Sequence, residues 1–378
     1  MPSPSLKSGV LALLLLAMVP ARAGAGPATA ATAAAPAAQE QLAGEVARLR
    51  RVAAGVPGDD EDWKALRPDV ERLLATADTE ITAGRLYYGT ERLGDARRLV
   101  MAVAYRAGRP GAAHDMEQFM AAWRDTDADL AADEARLKAG GWRGSPAAIR
   151  ALGESAFGQA RVLYRAARDY AAADSPASAL HNVGEARAAI DFANFCRGLR
   201  FDPVTPAAAP RTVAPELAAL EARVRAAYVP PRSIDNHADF IRIHSTLKHA
   251  AGLDAAGLRF GALHAYLKAR RAFAVLEAGW AGRPAPAVAA LREARERAAA
   301  HLAARGRDDS IGTLYLEAAD GLIERAAAAT DLATDARSAA AILDDVLPAY
   351  VAALGPGARP EPPRADALRV TLVRWPYT

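Results

Sequence analysis

The chain reads as an all-α protein, a solenoid-like or bundled stack of antiparallel helix hairpins that ends in a short C-terminal strand or extended tail. Three observations predict this. From residue 39 onward the composition is dominated by Ala, Leu, Arg and Glu, with apolar residues at helical spacing. Strand-like alternation is nearly absent until the C-terminus. A loop of the form Gly-Trp-x-Gly-x-Pro occurs twice, as Gly141-Trp142-Arg143-Gly144-Ser145-Pro146 and as Gly279-Trp280-Ala281-Gly282-Arg283-Pro284. The chain has only five tryptophans, so the recurrence points to two related helical halves.

Residues 1–23 read as a secretory signal. Lys7 supplies the positive n-region, Val10 to Val19 a short apolar core, and Ala21-Arg22-Ala23 a small-x-small cleavage site. A membrane-spanning helix needs roughly 20 apolar residues, and this run is about half that. The mature chain is therefore expected to begin near Gly24, in the periplasm or outside the cell, with no integral membrane segment. Residues 24–38, almost only Ala, Pro, Thr and Gly, read as a flexible spacer.

The first helical half covers residues 39–200, with helices expected at 39–54, 61–79, 82–107, 111–139, 146–172 and 175–198. Gly140 and Gly141 can take the left-handed conformation that ends a helix, and Pro146 suits the first turn of the next. Asp174-Ser175-Pro176 and Asp308-Asp309-Ser310 are N-cap sequences. Residues 201–212 form a linker whose prolines, Pro203, Pro206 and Pro210, suit a hinge. The second half, 213–355, is expected to hold helices at 213–228, 235–251, 254–278, 285–305, 309–330 and 335–352. In the tail, 356–378, Leu368 to Arg374 alternates like a strand and Trp375-Pro376-Tyr377 follows. This segment is expected either to cap the last helix or to add as a strand to a partner.

Internal offsets test the duplication. Ala83-Gly84 pairs with Ala256-Gly257, and Ala96-Arg97-Arg98 with Ala269-Arg270-Arg271, at a spacing of 173. The tryptophan loops pair at 138, and Asp174 with Asp308 and Leu180-His181 with Leu314-Tyr315 at 134. Within the helices, Leu93-Gly94-Asp95-Ala96-Arg97, Phe157-Gly158-Gln159-Ala160-Arg161 and Val183-Gly184-Glu185-Ala186-Arg187 share a hydrophobe-Gly-polar-Ala-Arg core. Small residues beside an apolar face let helix axes approach closely. The pattern resembles the helix packing of tetratricopeptide repeats. A regular repeat of that length is not present, so no family follows from it.

Charge excludes a nucleic-acid partner. The formal net charge of +3 falls to +1 once Lys7 and Arg22 leave with the signal. Cys196 is the only cysteine, so no internal disulfide can form, and it reads as a buried small hydrophobe. Ser245-Thr246-Leu247-Lys248 matches the Ser-x-x-Lys of penicillin-recognising enzymes, in which the lysine can serve the serine as base. Their companion Lys-Thr-Gly and Ser-x-Asn motifs are missing from the chain. Asp125-Thr126-Asp127-Ala128-Asp129 begins like a calcium loop but has Leu130 where Gly is required, and reads as a solvated helix face. His237, His244 and His249 form the one candidate metal cluster, as part of an alternative small-ligand or metal-binding reading. No cofactor motif is recognisable and no catalytic residue is assigned, and an envelope hydrolase is the third possibility. The leading expectation is an exported cell-envelope interaction or scaffold module that binds a protein or peptide without catalysis. Its candidate binding residues are Tyr87, Arg97, His181, Arg187, His264, Arg270 and Tyr315, with Arg161 in the same recurring arginine position. On stacked helices these would line a groove suited to an acidic peptide or glycan.

Overall fold

A computed structural model describes residues 35–109, 111, 115–139, 141–142, 144–202, 209–229, 235–303, 309–328 and 333–354. The residues read as a signal, most of those read as a spacer and the C-terminal tail therefore lie outside the described residues, as does the centre of the expected linker.

The first six helices are α1 (Ala35–Ala54), α2 (Glu61–Thr82), α3 (Leu86–Ala107), α4 (Met116–Lys138), α5 (Ala147–Ala172) and α6 (Pro176–Gly198). They are followed by α7 (Ala214–Ala227), α8 (His237–Ala255), α9 (Arg259–Trp280), α10 (Val288–Ala303) and α11 (Ser310–Ala328). The last helix runs as α12 (Ala333–Ala341), a π-helical segment (Ile342–Val346) and α13 (Leu347–Leu354). The widened turn sits just ahead of Pro348, which has no N–H to donate to the carbonyl of Asp344. No strand occurs among the described residues. Every expected helix is present. α1 starts at Ala35, inside the stretch read as spacer, because Ala propagates a helix as readily as it fills a linker.

The arrangement is a bundle. In a solenoid each hairpin touches only its neighbours. Here α3 packs against α2, α1 and α6 but also against α11, and α5 packs against α6 and also against α9. One contiguous core contains Leu93 and Ile149 together with Leu263 and Leu314. A smaller cluster of Phe119, Leu180 and Val183 seats α4 on α6. Cys196 is buried in the main core, where burial pushes its thiol up to about 12.

The two turns 173 apart close in the same way, a pattern that the ends of α5 and α9 also show at Asp174 and Gly282. At the α2–α3 turn, Ala83, Gly84 and Arg85 donate to the carbonyls of Thr79, Ile81 and Glu80. At the α8–α9 turn, Ala256, Gly257 and Leu258 donate to Gly252, Asp254 and Leu253. Gly84 and Gly257 have φ of 78° and 75°, left-handed values that glycine adopts without a Cβ clash.

Helix capping repeats as well, in a crossed arrangement. Glu317 of α11 accepts the N–H of Tyr88 at the start of α3, at 2.8 Å. Glu154 of α5 accepts the N–H of Gly261 at the start of α9, at 2.9 Å. The capped residues are 173 apart and the capping glutamates 163 apart, so α3 corresponds to α9 and α5 to α11. Each central helix takes its cap from the opposite half.

The other two offsets do not survive. Trp142 precedes α5 and covers Gly153, where a Cβ would collide with the indole. Trp280 instead closes α9, 37% exposed, and stacks on Phe240 at 5.1 Å. Leu180 lies on α6 and Leu314 on α11, which are not counterparts. Gly and Pro at both places answer the needs that helix ends share, while the two tryptophans sit in different surroundings. Asp125 to Asp129 lie within α4, where Asp129 pairs with Arg187 at 2.9 Å, so no calcium loop forms.

Candidate functional site

α5 and α8 diverge on one side to leave a cavity of about 380 Å³. Gly158 brings the two helices together at its floor, since a Cβ there would strike Leu253 and His249. Arg161, Val162 and Arg165 form one wall and Ser245, Lys248 and His249 the other. Arg161 and Arg165 stand one turn apart on α5, and Ser245 and Lys248 share a face of α8. Among the described residues no carboxylate lines the cavity, and Arg161, Arg165 and Lys248 make no hydrogen bond or ion pair. Burial, reinforced by the like charge of Arg165, lowers the pKa of Arg161 despite the Glu134 carboxylate. His249 places Nε2 3.3 Å from the Ser155 hydroxyl, and burial drops its pKa to about 4. It is therefore neutral across physiological pH, and the cleft's charge comes from the three longer cations.

A buried polar cluster lies where α3 meets α9. Lys268 Nζ is 3.1 Å and His264 Nε2 3.6 Å from Glu91 Oε1. Tyr315 Oη stands 3.4 Å from His264 Nδ1. Burial alone would raise the Glu91 pKa, but Lys268, Arg92 and His264 outweigh it and hold the carboxyl well below its usual range. Burial drops His264 to about 4 and, with Glu91, raises the Tyr315 phenol. Glu91 and His264 are themselves 173 apart, so this contact joins corresponding positions of α3 and α9. The charges satisfy one another, and the cluster is a specifying contact between the halves.

Most of the residues expected to line a groove serve packing instead. Tyr87 stacks on Phe201 at 5.1 Å. Arg97 is buried against Glu45 and Phe195, Arg187 pairs with Asp129 over the Tyr105 ring, and Arg270 forks onto Asp345 at 2.6 and 2.8 Å. His264 and Tyr315 meet in the core. His181 is half-buried on α6, its Nδ1 without a hydrogen-bond partner among the described residues. They do not converge on one surface. Of the recurring arginines, Arg161 alone reaches the cleft.

The three histidines also part company. His237 Nδ1 lies 3.0 Å from the Tyr228 hydroxyl, His244 3.9 Å from Glu221, and His249 faces Ser155. Among the described residues no three His, Cys, Asp or Glu side chains are grouped to hold a metal ion. Ser245 and Lys248 do share the cleft wall, but they are not hydrogen-bonded, so the serine has no base at hand.

The cleft was assembled from residues whose sequence context pointed to other roles. One signal was readable. The positions three and four away from Arg161 are Phe157, Gly158, Tyr164 and Arg165, and those around Lys248 are His244, Ser245, Ala251 and Gly252. Neither cation has an acid within helical pairing distance on its own helix. Compared with known proteins, the chain matches no family model, no curated protein and no solved structure. Among the described residues no helix is long and apolar enough to cross a membrane.

Proposed function

We propose that the chain is an exported helical interaction module of the cell envelope, without catalysis of its own, and that its partner polypeptide docks at the α5–α8 cleft. The observation that carries this reading is the convergence of Arg161, Arg165 and Lys248 on one cavity without an opposing carboxylate. Many arginines elsewhere are matched from within, as Arg97 with Glu45, Arg270 with Asp345 and Arg295 with Asp320 are, and among the described residues none of those left single shares a cavity in this way with two further cations. Three unmatched like charges repel one another and are stabilised by an anionic partner. Export rests on the N-terminal signal pattern. N-terminal sequencing of protein from fractionated cells should find a chain starting at Gly24 outside the cytoplasm, and full-length cytoplasmic protein retaining Met1 overturns it.

The docking reading is tested by capture from envelope extract with the native chain and with an Arg161→Glu, Lys248→Glu variant. A partner retained by the native chain and lost from the equally stable variant supports the reading. A partner held equally by both removes the cleft from it. The rival, metal binding at His237, His244 and His249, has no shared geometry behind it. Stoichiometric metal on the purified chain, lost on His244→Ala, would restore it.

A further inference from the structure

The duplication supplies an internal comparison for the cleft. Gly158 of α5 faces Leu253 of α8, and the corresponding Gly321 of α11 faces Glu80 of α2, where a Cβ would collide in the same way. The two glycines are 163 apart and the two facing residues 173 apart, the spacings of the crossed caps. The α11–α2 contact is thus the counterpart of the α5–α8 cleft, and its chemistry is reversed. Where α5 carries Arg161, α11 carries Glu324. Where the α8–α9 turn carries Leu258, the α2–α3 turn carries Arg85.

In that counterpart the charges are matched from within. Arg85 holds both oxygens of Glu324 at 2.8 Å and also pairs with Glu80. Arg325, beside Glu324, reaches Glu80 at 3.4 Å and Asp335 at 3.0 Å. The helix frame therefore accommodates a carboxylate gripped by a guanidinium, with the acid supplied by α11. In the cleft the guanidinium is present on α5, and among the described residues no carboxylate lines the cavity or forms an ion pair with it, Glu134 acting on Arg161 only from outside the lining.

Resting on the docking reading above, we infer that the cleft receives an extended acidic segment of the partner, whose alternate carboxylates meet Arg161 and Arg165 while Lys248 closes the opposite wall. Spacing favours a chain over a single small anion. Residues one helical turn apart stand about 5–6 Å from each other at Cβ. Alternate side chains of an extended strand are roughly 6.6 Å apart, a near match. A fork of parallel N–H donors also suits carboxylate geometry.

The test is calorimetric titration of the mature chain with three probes. These are a peptide of about ten residues alternating Glu with Ser, its Gln-for-Glu equivalent, and inorganic phosphate. The Glu peptide should bind one to one, weaken with salt and outcompete phosphate, while the Gln peptide does not bind. Arg161→Ala and Arg165→Ala should each weaken it by about tenfold, with unchanged melting temperature for Arg165→Ala, whose exposed side chain makes no hydrogen bond or ion pair. Arg292→Ala, an exposed cation on α10, should leave it unaltered. Phosphate bound as tightly as the peptide overturns the inference in favour of a small-anion site, and so does peptide affinity indifferent to Arg161 and Arg165. If the Glu peptide fails while envelope capture still depends on Arg161 and Lys248, the acidic segment is wrong and the docking reading stands. If capture is indifferent as well, both fall.

Discussion

Replacing Glu317 by Gln should stabilise the protein above neutral pH, by an amount that grows as pH rises. Glu317 is partly buried on α11 and accepts the backbone N–H groups of Tyr88 and Tyr87 at the start of α3. Burial, with nearby Glu80, pushes its carboxyl from an ordinary 4.5 to about 8, and the two N–H donors and Arg85 oppose that only in part. The folded chain therefore holds a proton that the unfolded chain gives up. Stability from this group is complete below about pH 4.5 and is lost as pH rises through about 8. At ~1.36 kcal/mol per pH unit, full ionisation would cost roughly 5 kcal/mol. Partial solvation of the side chain reduces that to about 1–3 kcal/mol. A Gln keeps the carbonyl oxygen that accepts Tyr88 N–H and has nothing to ionise. Urea unfolding of native and variant protein at pH 5, 7 and 9 measures the effect. The difference should be near zero at pH 5 and reach about 1–3 kcal/mol in favour of the variant at pH 9. A difference that favours the native chain at pH 9 refutes the reasoning. It would mean that the carboxylate stays ionised and stabilises the positive end of the α3 dipole.

Two further outcomes follow from the same structure. Gly84→Ala and Gly257→Ala each force a Cβ into a left-handed turn with nothing within 4 Å of it, so each should cost about 1 kcal/mol through the backbone alone; urea midpoints differing by more than that between the two variants would break the equivalence of the turns. Burial holds His249 and His264 near 4 against an ordinary 6.5, so the unfolded chain takes up their protons first and stability drops as pH falls from about 6.5 towards 4; His249→Gln should flatten part of that slope, and an unchanged slope would mean that His249 is accessible.

The helices were legible because this chain signals them redundantly. Asp60 and Asp115 cap α2 and α4, Gly84 and Gly257 close turns, and the apolar faces keep helical spacing. The turns at residues 79–85 and 252–258 were legible for the same reason, since Gly84 and Gly257 take a left-handed conformation that costs glycine least. The tryptophan loops misled because Gly, Trp and Pro at a helix boundary answer a local need that arises anywhere a helix ends. The candidate site was legible only in fragments. Arg161 stood out as a recurring arginine and Lys248 as the end of a Ser-x-x-Lys match, but nothing local joins α5 to α8. That contact depends on Gly158 and on the crossed packing of the halves. The same packing explains why Arg97, Arg187 and Arg270 looked alike in sequence. Each sits beside a small residue on a packed face, and the acid that neutralises it comes from another helix.

The most direct test of the cleft places a photo-crosslinking amino acid at Val162. This residue is 51% exposed between Arg161 and the α8 wall and makes no polar contact that the replacement would disturb. Irradiation with the alternating Glu peptide should yield a covalent adduct at Val162 that disappears in high salt and in the Arg161→Glu background. No adduct should form when the same amino acid replaces Arg292 on α10. Equal adducts at both positions, or an adduct at Val162 that survives loss of the Arg161 charge, would contradict the claim that this cleft recognises an acidic partner by its unmatched cations.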